Sequence, residues 1–177
     1  MYRWEYTFCL HTCRLGDRIR EATNPFTGER IRIHIDDGLT SAELAAVRKH
    51  FDAYGVQGPE PEGEGYALYL PSNGSVRFRG GPDLDDTVSC ALTGYAVEIV
   101  VSELSDDVLG FVHDVARHGN MAFMSSIGDE VCLVNEPISP KLKQRWPNAH
   151  MILTIRELRA WLENRIEGRM VYVPSDD

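Results

Sequence analysis

Two cysteines and a histidine, residue types that can bind metal, occupy alternate positions near the start of the chain. They are Cys9, His11 and Cys13, in the stretch FCLHTC at 8–13. Alternate residues of a strand share one face, with neighbouring side chains about 6 to 7 Å apart. That spacing suits a tetrahedral zinc site poorly, since such a site usually takes a ligand pair from a turn. We therefore predict that the strand is packed on both faces and that the protein binds no metal and no cofactor. If a metal is bound, these three residues are the candidate ligands.

A second set of catalytic residue types lies at His34 and Asp36, which share one face of the run IRIHID. A histidine beside a carboxylate can act as a base held in place by its neighbour. No nucleophile stands next to them in the sequence, and phosphate-loop and GxSxG motifs do not occur. The pair is more typical of a surface contact between strands. The alternative hypothesis is a small-ligand or metal-dependent enzyme, with its site near Cys9, His11 and Cys13 or near His34 and Asp36.

Acidic residues are concentrated in the middle of the chain. The formal net charge is -9, and residues 36–140 alone carry a net charge of -13. Such a field repels phosphate backbones, which disfavours a nucleic-acid partner, and attracts a basic protein. We expect acidic loops to steer that partner and exposed aromatic side chains to anchor it. The predicted partner-binding carboxylates are Glu60, Glu62, Glu64, Asp83, Asp85 and Asp86, and the aromatic candidates are Tyr66, Tyr69 and Phe78.

Length and composition indicate a globular protein. The 177 residues, 43% of them hydrophobic, are enough for a core that needs no disulfide. The four cysteines are irregularly spaced and the N-terminal stretch lacks signal-peptide character, which favours reduced thiols and a cytoplasmic location. No run of about 18 apolar residues is present, so we predict no membrane association. The oligomeric state stays open.

Hydrophobic alternation predicts strands in the first half of the chain, at 2–11 and 31–35. Residues 14–30 are rich in charge and turn formers, which predicts a loop between these strands. The stretch GPEPEGEG at 58–65 combines glycine, proline and glutamate, and we predict an exposed acidic loop there. An Asn-Gly pair at 73–74 separates the alternating runs YALYL and SVRFR, which predicts a hairpin.

Four capping signals predict four helices. Thr40 and Thr154 are each followed three residues later by a glutamate, the spacing of a capping box. Ser105 precedes an apolar stripe, and Ser139 precedes a proline at the first helical position. The remaining strands of the second half are predicted at 96–101, 121–125, 131–134, 151–154 and 170–173.

The order strand, helix, hairpin occurs twice, which predicts an α+β fold. We expect two βαββ-type units, the second ferredoxin-like with the order βαββαβ, with antiparallel sheets and helices on one face. The N-terminal unit covers residues 1–80, a linker covers 81–94 and the C-terminal unit covers 95–177. One compact domain is the alternative.

Three segments of the chain carry a resemblance to other proteins. GDRIREATNPFTGE at 16–29, DDGLT at 36–40 and RWPNA at 145–149 resemble those of a family of uncharacterised bacterial cytosolic proteins with NPFTGE and DDGLT segments. The resemblance implies a bacterial cytosolic protein and brings no activity, cofactor or catalytic residue. The CLHTC stretch departs from the family pattern.

These observations favour a protein that binds rather than catalyses. The acidic middle segment and the lack of an assembled catalytic set predict an acidic protein that engages a basic protein partner. Small acidic immunity proteins that neutralise toxins work in this manner. The enzyme described above is the second hypothesis.

Overall fold

The computed structural model of the protein describes residues 2–16, 18–23, 27–35, 38–62, 65–79, 96–125, 130–135, 138–165 and 168–172. Eleven strands and four helices lie within these ranges. The strands are β1 (Tyr2–Thr12), β2 (Arg18–Thr23), β3 (Arg30–Ile35), β4 (Gln57–Glu62), β5 (Gly65–Tyr69), β6 (Ser75–Arg79), β7 (Ala96–Val101), β8 (Met121–Met124), β9 (Val131–Leu133), β10 (His150–Met151) and β11 (Gly168–Tyr172). The helices are α1 (Ser41–Tyr54), α2 (Asp106–His118), α3 (Pro140–Arg145) and α4 (Ile155–Glu163).

Nine of the strands form one mixed, mostly antiparallel sheet. Its order is β10-β9-β8-β1-β7-β6-β5-β4, and β11 joins it by pairing with β1. Only β9 and β10 run parallel among the described pairs. The long strand β1 pairs with β7 on one side and with both β11 and β8 on the other. Helices combined with a mostly antiparallel sheet confirm the predicted α+β class.

Strands from both predicted units belong to this one sheet. β6 pairs with β7, and β1 lies between β7 and β8. The second half of the chain therefore does not close a ferredoxin-like sheet of its own, because the first strand of the chain occupies its centre. The linker predicted at 81–94 lies outside the described residues.

Two stretches predicted as loops contain strands. β2 lies within 14–30 and pairs with β3 over six residues to form a separate two-stranded sheet. β4 covers most of the proline- and glutamate-rich stretch and is the terminal strand of the large sheet. Proline is tolerated on an edge strand because one side of that strand needs no backbone N–H. Pairing with β5 thus overrides the low strand propensity of β4.

Helix starts follow the capping signals. Thr40 and Glu43 form a complete capping box at α1, and Thr154 and Glu157 form another at α4. Ser105 and Ser139 cap α2 and α3 through their side-chain oxygens. Each cap accepts a hydrogen bond from an N–H that has no partner within its own helix. These four predictions are confirmed.

The main core lies between the sheet and the helices α1, α2 and α4. Its fully buried members include Phe8 on β1, Phe111 on α2 and Leu158 on α4. On the other face, a smaller apolar cluster on β8 and β9 packs against Trp146, which caps the end of α3. Farther along that face, the nearly buried side chains of Glu5 and Arg77 form an ion pair that connects β1 with β6. Breaking such a pair leaves a charge buried without a counter-charge, and this typically costs about 3 to 5 kcal/mol.

Candidate functional site

The free edge of β4 is the most distinctive surface that the described residues offer. Glu60 pairs with Ala67, and Pro61 pairs with Tyr66. Because Pro61 has no N–H, its pair with Tyr66 is a non-hydrogen-bonded one, and its backbone carbonyl is directed away from β5. Pro59 provides no N–H either. The edge is therefore rich in hydrogen-bond acceptors and poor in donors.

An irregularity separates the start of β4 from its acidic end. The register shifts between Gln57 and Glu60, and Gly58 adopts a φ of 104°. A bulge of this kind bends an edge strand and, together with prolines, hinders pairing with a strand of another chain. We conclude that this edge suits side-chain donors better than an added β-strand.

A shallow pocket adjoins the same edge. Its volume is about 360 Å³, at the small end of ligand pockets. Cross-strand pairing places Tyr69 directly opposite Gln57, and the Tyr69 side chain is 39% exposed. Two left-handed residues shape the surrounding backbone: Gly55, which ends α1, and Asn73, in the predicted hairpin turn. The pocket is lined by Gly55, Gln57, Tyr69, Leu70, Pro71 and Asn73.

The predicted partner-binding residues divide into two groups. Glu60 and Glu62 lie on β4, so the sheet edge carries them. Glu64, Asp83, Asp85 and Asp86 lie outside the described residues. Among the aromatic candidates, Tyr66 lies on β5 and Tyr69 lines the pocket, whereas Phe78 is 3% exposed and packs in the core. Phe78 therefore cannot anchor a partner from the surface.

Cys9 and His11 alternate on β1 as predicted, and Cys13 follows the end of that strand. His11 is buried, its Nδ1 lies 2.8 Å from the Thr12 carbonyl oxygen, and its ring meets that of Trp146 edge-on at 5.3 Å. Cys13 packs with the apolar cluster on β8 and β9. No three His, Cys, Asp or Glu side chains within the described ranges are grouped so that they could hold a metal ion.

The thiols are held in their protonated form by their surroundings. Burial raises the pKa of Cys13 to about 12, and the nearby Glu43 carboxylate adds to this. Burial also raises the pKa of Cys9, with a further contribution from Glu98. A thiol reacts as a nucleophile only when deprotonated, so neither residue is an activated nucleophile near neutral pH.

The other predicted pair cannot be assembled from what the structure describes. His34 lies on β3 opposite Ile19, and Asp36 lies outside the described residues. The hypothesis of a base and its orienting carboxylate therefore stays a prediction.

One cysteine–histidine contact had no signal in the sequence. The Sγ of Cys132 lies 3.0 Å from Nε2 of His150, because β9 and β10 pair in parallel and align these two residues. Arg165 pairs with Glu130 nearby and lies over the Trp161 ring. Burial raises the pKa of Cys132, with Arg165 opposing the shift and Glu130 adding to it. The thiol is thus a hydrogen-bonded core residue and not an activated nucleophile.

No helix among the described residues is both long enough and apolar enough to cross a bilayer. Comparison with known proteins adds no further assignment to the edge and the pocket: no protein-family model, curated protein or solved structure matches this chain.

Proposed function

We propose that this protein is a non-catalytic, acidic binding protein that engages a basic protein partner. It acts in the cytoplasm in the manner of a bacterial immunity protein that neutralises a toxin. The binding surface is the outer edge of β4. The observation that carries this proposal is the acceptor-rich, glutamate-bearing edge of the large sheet.

Two features of the edge support a cationic partner. Residues 57–64 contain three glutamates and no basic residue. Pro59 and Pro61 remove backbone donors from the edge, so backbone carbonyl oxygens outnumber backbone N–H groups there. Arginine and lysine side chains carry only donors and match such a surface.

The charge of the whole chain supports the same partner class. A net charge of -9 attracts cationic proteins over distances longer than direct contact. At an ionic strength of about 0.15 M this attraction is screened beyond roughly 8 Å. The glutamates on β4, rather than the total charge, must then determine where the partner binds.

The enzyme hypothesis has less support. Burial raises the pKa of Cys9, Cys13 and Cys132, which opposes thiolate chemistry at each. Stoichiometric metal in protein purified without chelator, or one rapidly alkylated thiol, would favour that hypothesis instead.

Titration of a labelled peptide of alternating lysine and arginine tests the proposal. We expect Glu60→Gln/Glu62→Gln to weaken binding by about tenfold, because two carboxylates at the contact are lost. The matched control, Glu21→Gln/Glu163→Gln, removes the same charge from exposed positions on β2 and α4 and should change affinity by about twofold or less. Equal losses in the two variants, or affinity that does not fall with added salt, would contradict a binding surface at β4.

A further inference from the structure

The packing of α1 against α2 brings two histidines together. The rings of His50 on α1 and His118 on α2 have centroids 5.5 Å apart, and their planes are inclined at 38°. Both residues are half-buried, so their rings are partly shielded from water and still reachable by a small ion. The contact had no signal in the sequence, because the two residues belong to different helices.

The distance between the two rings suits a shared metal ion. An imidazole binds zinc through one ring nitrogen at about 2.0 to 2.1 Å. Two imidazoles on one tetrahedral ion therefore have their ring centroids about 5 Å apart. The observed separation of 5.5 Å is close to that value, so a slightly wider angle at the metal accommodates both rings.

His50 is oriented for this role by the backbone of α2. Its Nε2 lies 3.3 Å from the Phe111 carbonyl oxygen, and its ring stacks on that of Phe111 with centroids 5.2 Å apart. With the hydrogen on Nε2, that nitrogen donates to the carbonyl, and Nδ1 carries the lone pair that can bind a metal ion. Histidines that bind metal ions almost always donate their other ring N–H to a carbonyl, a carboxylate or water.

A carboxylate near the rings favours a cation. Asp114 lies four residues before His118 on α2, so the two residues share one face of the helix. Burial lowers the pKa of His50, and Asp114 opposes this shift more strongly than Arg117 adds to it. Asp114 is itself paired with Arg117 at 3.1 Å, and no group of three possible metal ligands occurs in the part of the chain that the structure describes.

We propose that His50 and His118 form a two-histidine site for a divalent transition-metal ion such as Zn²⁺, which connects α1 with α2. Imidazole suits zinc, copper and nickel, whereas calcium and magnesium prefer oxygen ligands. The protein supplies two nitrogen ligands, and water fills the remaining positions. This site involves neither the β4 edge nor a protein partner, so it goes beyond the proposed function.

Calorimetric titration of Zn²⁺ into chelator-free protein tests the site. We expect the wild type to bind the ion saturably. His50→Gln and His118→Gln should each weaken binding by at least about tenfold, because even groups that only orient a metal ligand contribute about 10- to 100-fold. The matched control, His150→Gln, removes an exposed histidine on β10 that contacts Cys132, and it should leave the affinity unchanged.

A measurement on the wild type keeps the test free of any folding defect in the variants. In NMR spectra, substoichiometric Zn²⁺ should shift the ring resonances of His50 and His118 before those of the other histidines. Absence of saturable binding would overturn the proposal. Binding that both the His50 and the His118 variants retain, or that His150→Gln abolishes, would overturn it as well.

Discussion

Burial, rather than sequence spacing, decides what the thiols of this protein can do. Cys132 is fully buried against His150, and Cys9 and Cys13 are partly buried on or beside β1. In each case desolvation is the largest influence on the pKa and favours the neutral thiol. Cys13 of this motif packs with the apolar cluster on β8 and β9, since cysteine behaves as a small hydrophobic residue when it is neutral.

We expect the three described thiols to react slowly in the folded protein. In a Cys90→Ser variant, which leaves only these three, an aromatic disulfide reagent at pH 7.5 should release its product much more slowly than from free cysteine. Addition of denaturant should make all three react rapidly, because unfolding restores an ordinary thiol pKa of about 8.5. One thiol that reacts at the rate of free cysteine before unfolding would contradict this expectation.

We expect His50, which lies between α1 and α2, to make the stability of the protein depend on pH. Its Nε2 lies 3.3 Å from the Phe111 carbonyl oxygen, and its ring lies 5.5 Å from that of His118. Burial lowers the pKa of His50, and His118 and Arg117 add to this, while Asp114 and the Phe111 carbonyl oppose it. The unfolded chain therefore takes up this proton at a higher pH than the folded protein does.

The sign of the effect follows from proton linkage. The stability contributed by neutral His50 is fully present above the ordinary histidine pKa of about 6.5 and is lost as the pH falls toward the lowered folded value. Urea unfolding at pH values from about 7.5 to 5.5 should show this decline. His50→Gln keeps a donor for Phe111 and should flatten the slope. An identical slope in wild type and variant would exclude His50 as its source.

At the scale of elements, the packing of β11 against β1 leaves no room for a side chain at Gly168. A Cβ added there would lie 2.8 Å from Cε1 of Tyr6 and 3.1 Å from Cε3 of Trp4. The two rings therefore lie against the backbone at Gly168, and a side chain there would displace them. That register aligns Tyr6 with Gly168 and Trp4 with Met170.

We expect Gly168→Ala to destabilise the protein by about 1 to 3 kcal/mol, because the rings must move away from the strand. The matched substitution Gly110→Ala, inside α2, brings a Cβ only within 3.3 Å of the flexible end of Ile155. It should be neutral or stabilising by up to about 1 kcal/mol, since alanine favours a helix over glycine. Urea unfolding of the two variants measures the difference, and a Gly168→Ala protein as stable as wild type would show that the rings adapt freely.

Elements that depend on nearby residues were predicted better than elements that depend on pairing with another strand. Thr40 with Glu43, and Asn73 with Gly74, act within a few residues, so the sequence is enough to predict the helix start and the hairpin. β4 forms a strand because it pairs with β5. Its prolines disfavour a strand locally, so the sequence of this stretch alone does not predict the pairing. For the same reason the sequence did not predict that Glu60 and Glu62 lie on a sheet edge, and their role in binding a partner stays a prediction.

At the scale of the whole molecule, β1 organises the sheet. It contacts β7, β8 and β11, which come from the second half of the chain. Hydrophobic alternation predicted β1 as a strand, yet no pattern in one strand specifies which distant strands pair with it. This explains why the sequence did not predict that strands from both halves of the chain share the nine-stranded sheet.

The pairing of β1 with β11 also determines when β1 can complete its pairing during synthesis. Tyr2 is the cross-strand partner of Tyr172, so β1 cannot complete its pairing with β11 until residue 172 has been synthesised. Contacts between such distant positions carry a large loop-closure cost and form slowly. A nascent chain that stalls before residue 168 would leave Trp4 and Tyr6 without the strand that they pack against, and this would make it a substrate for chaperones.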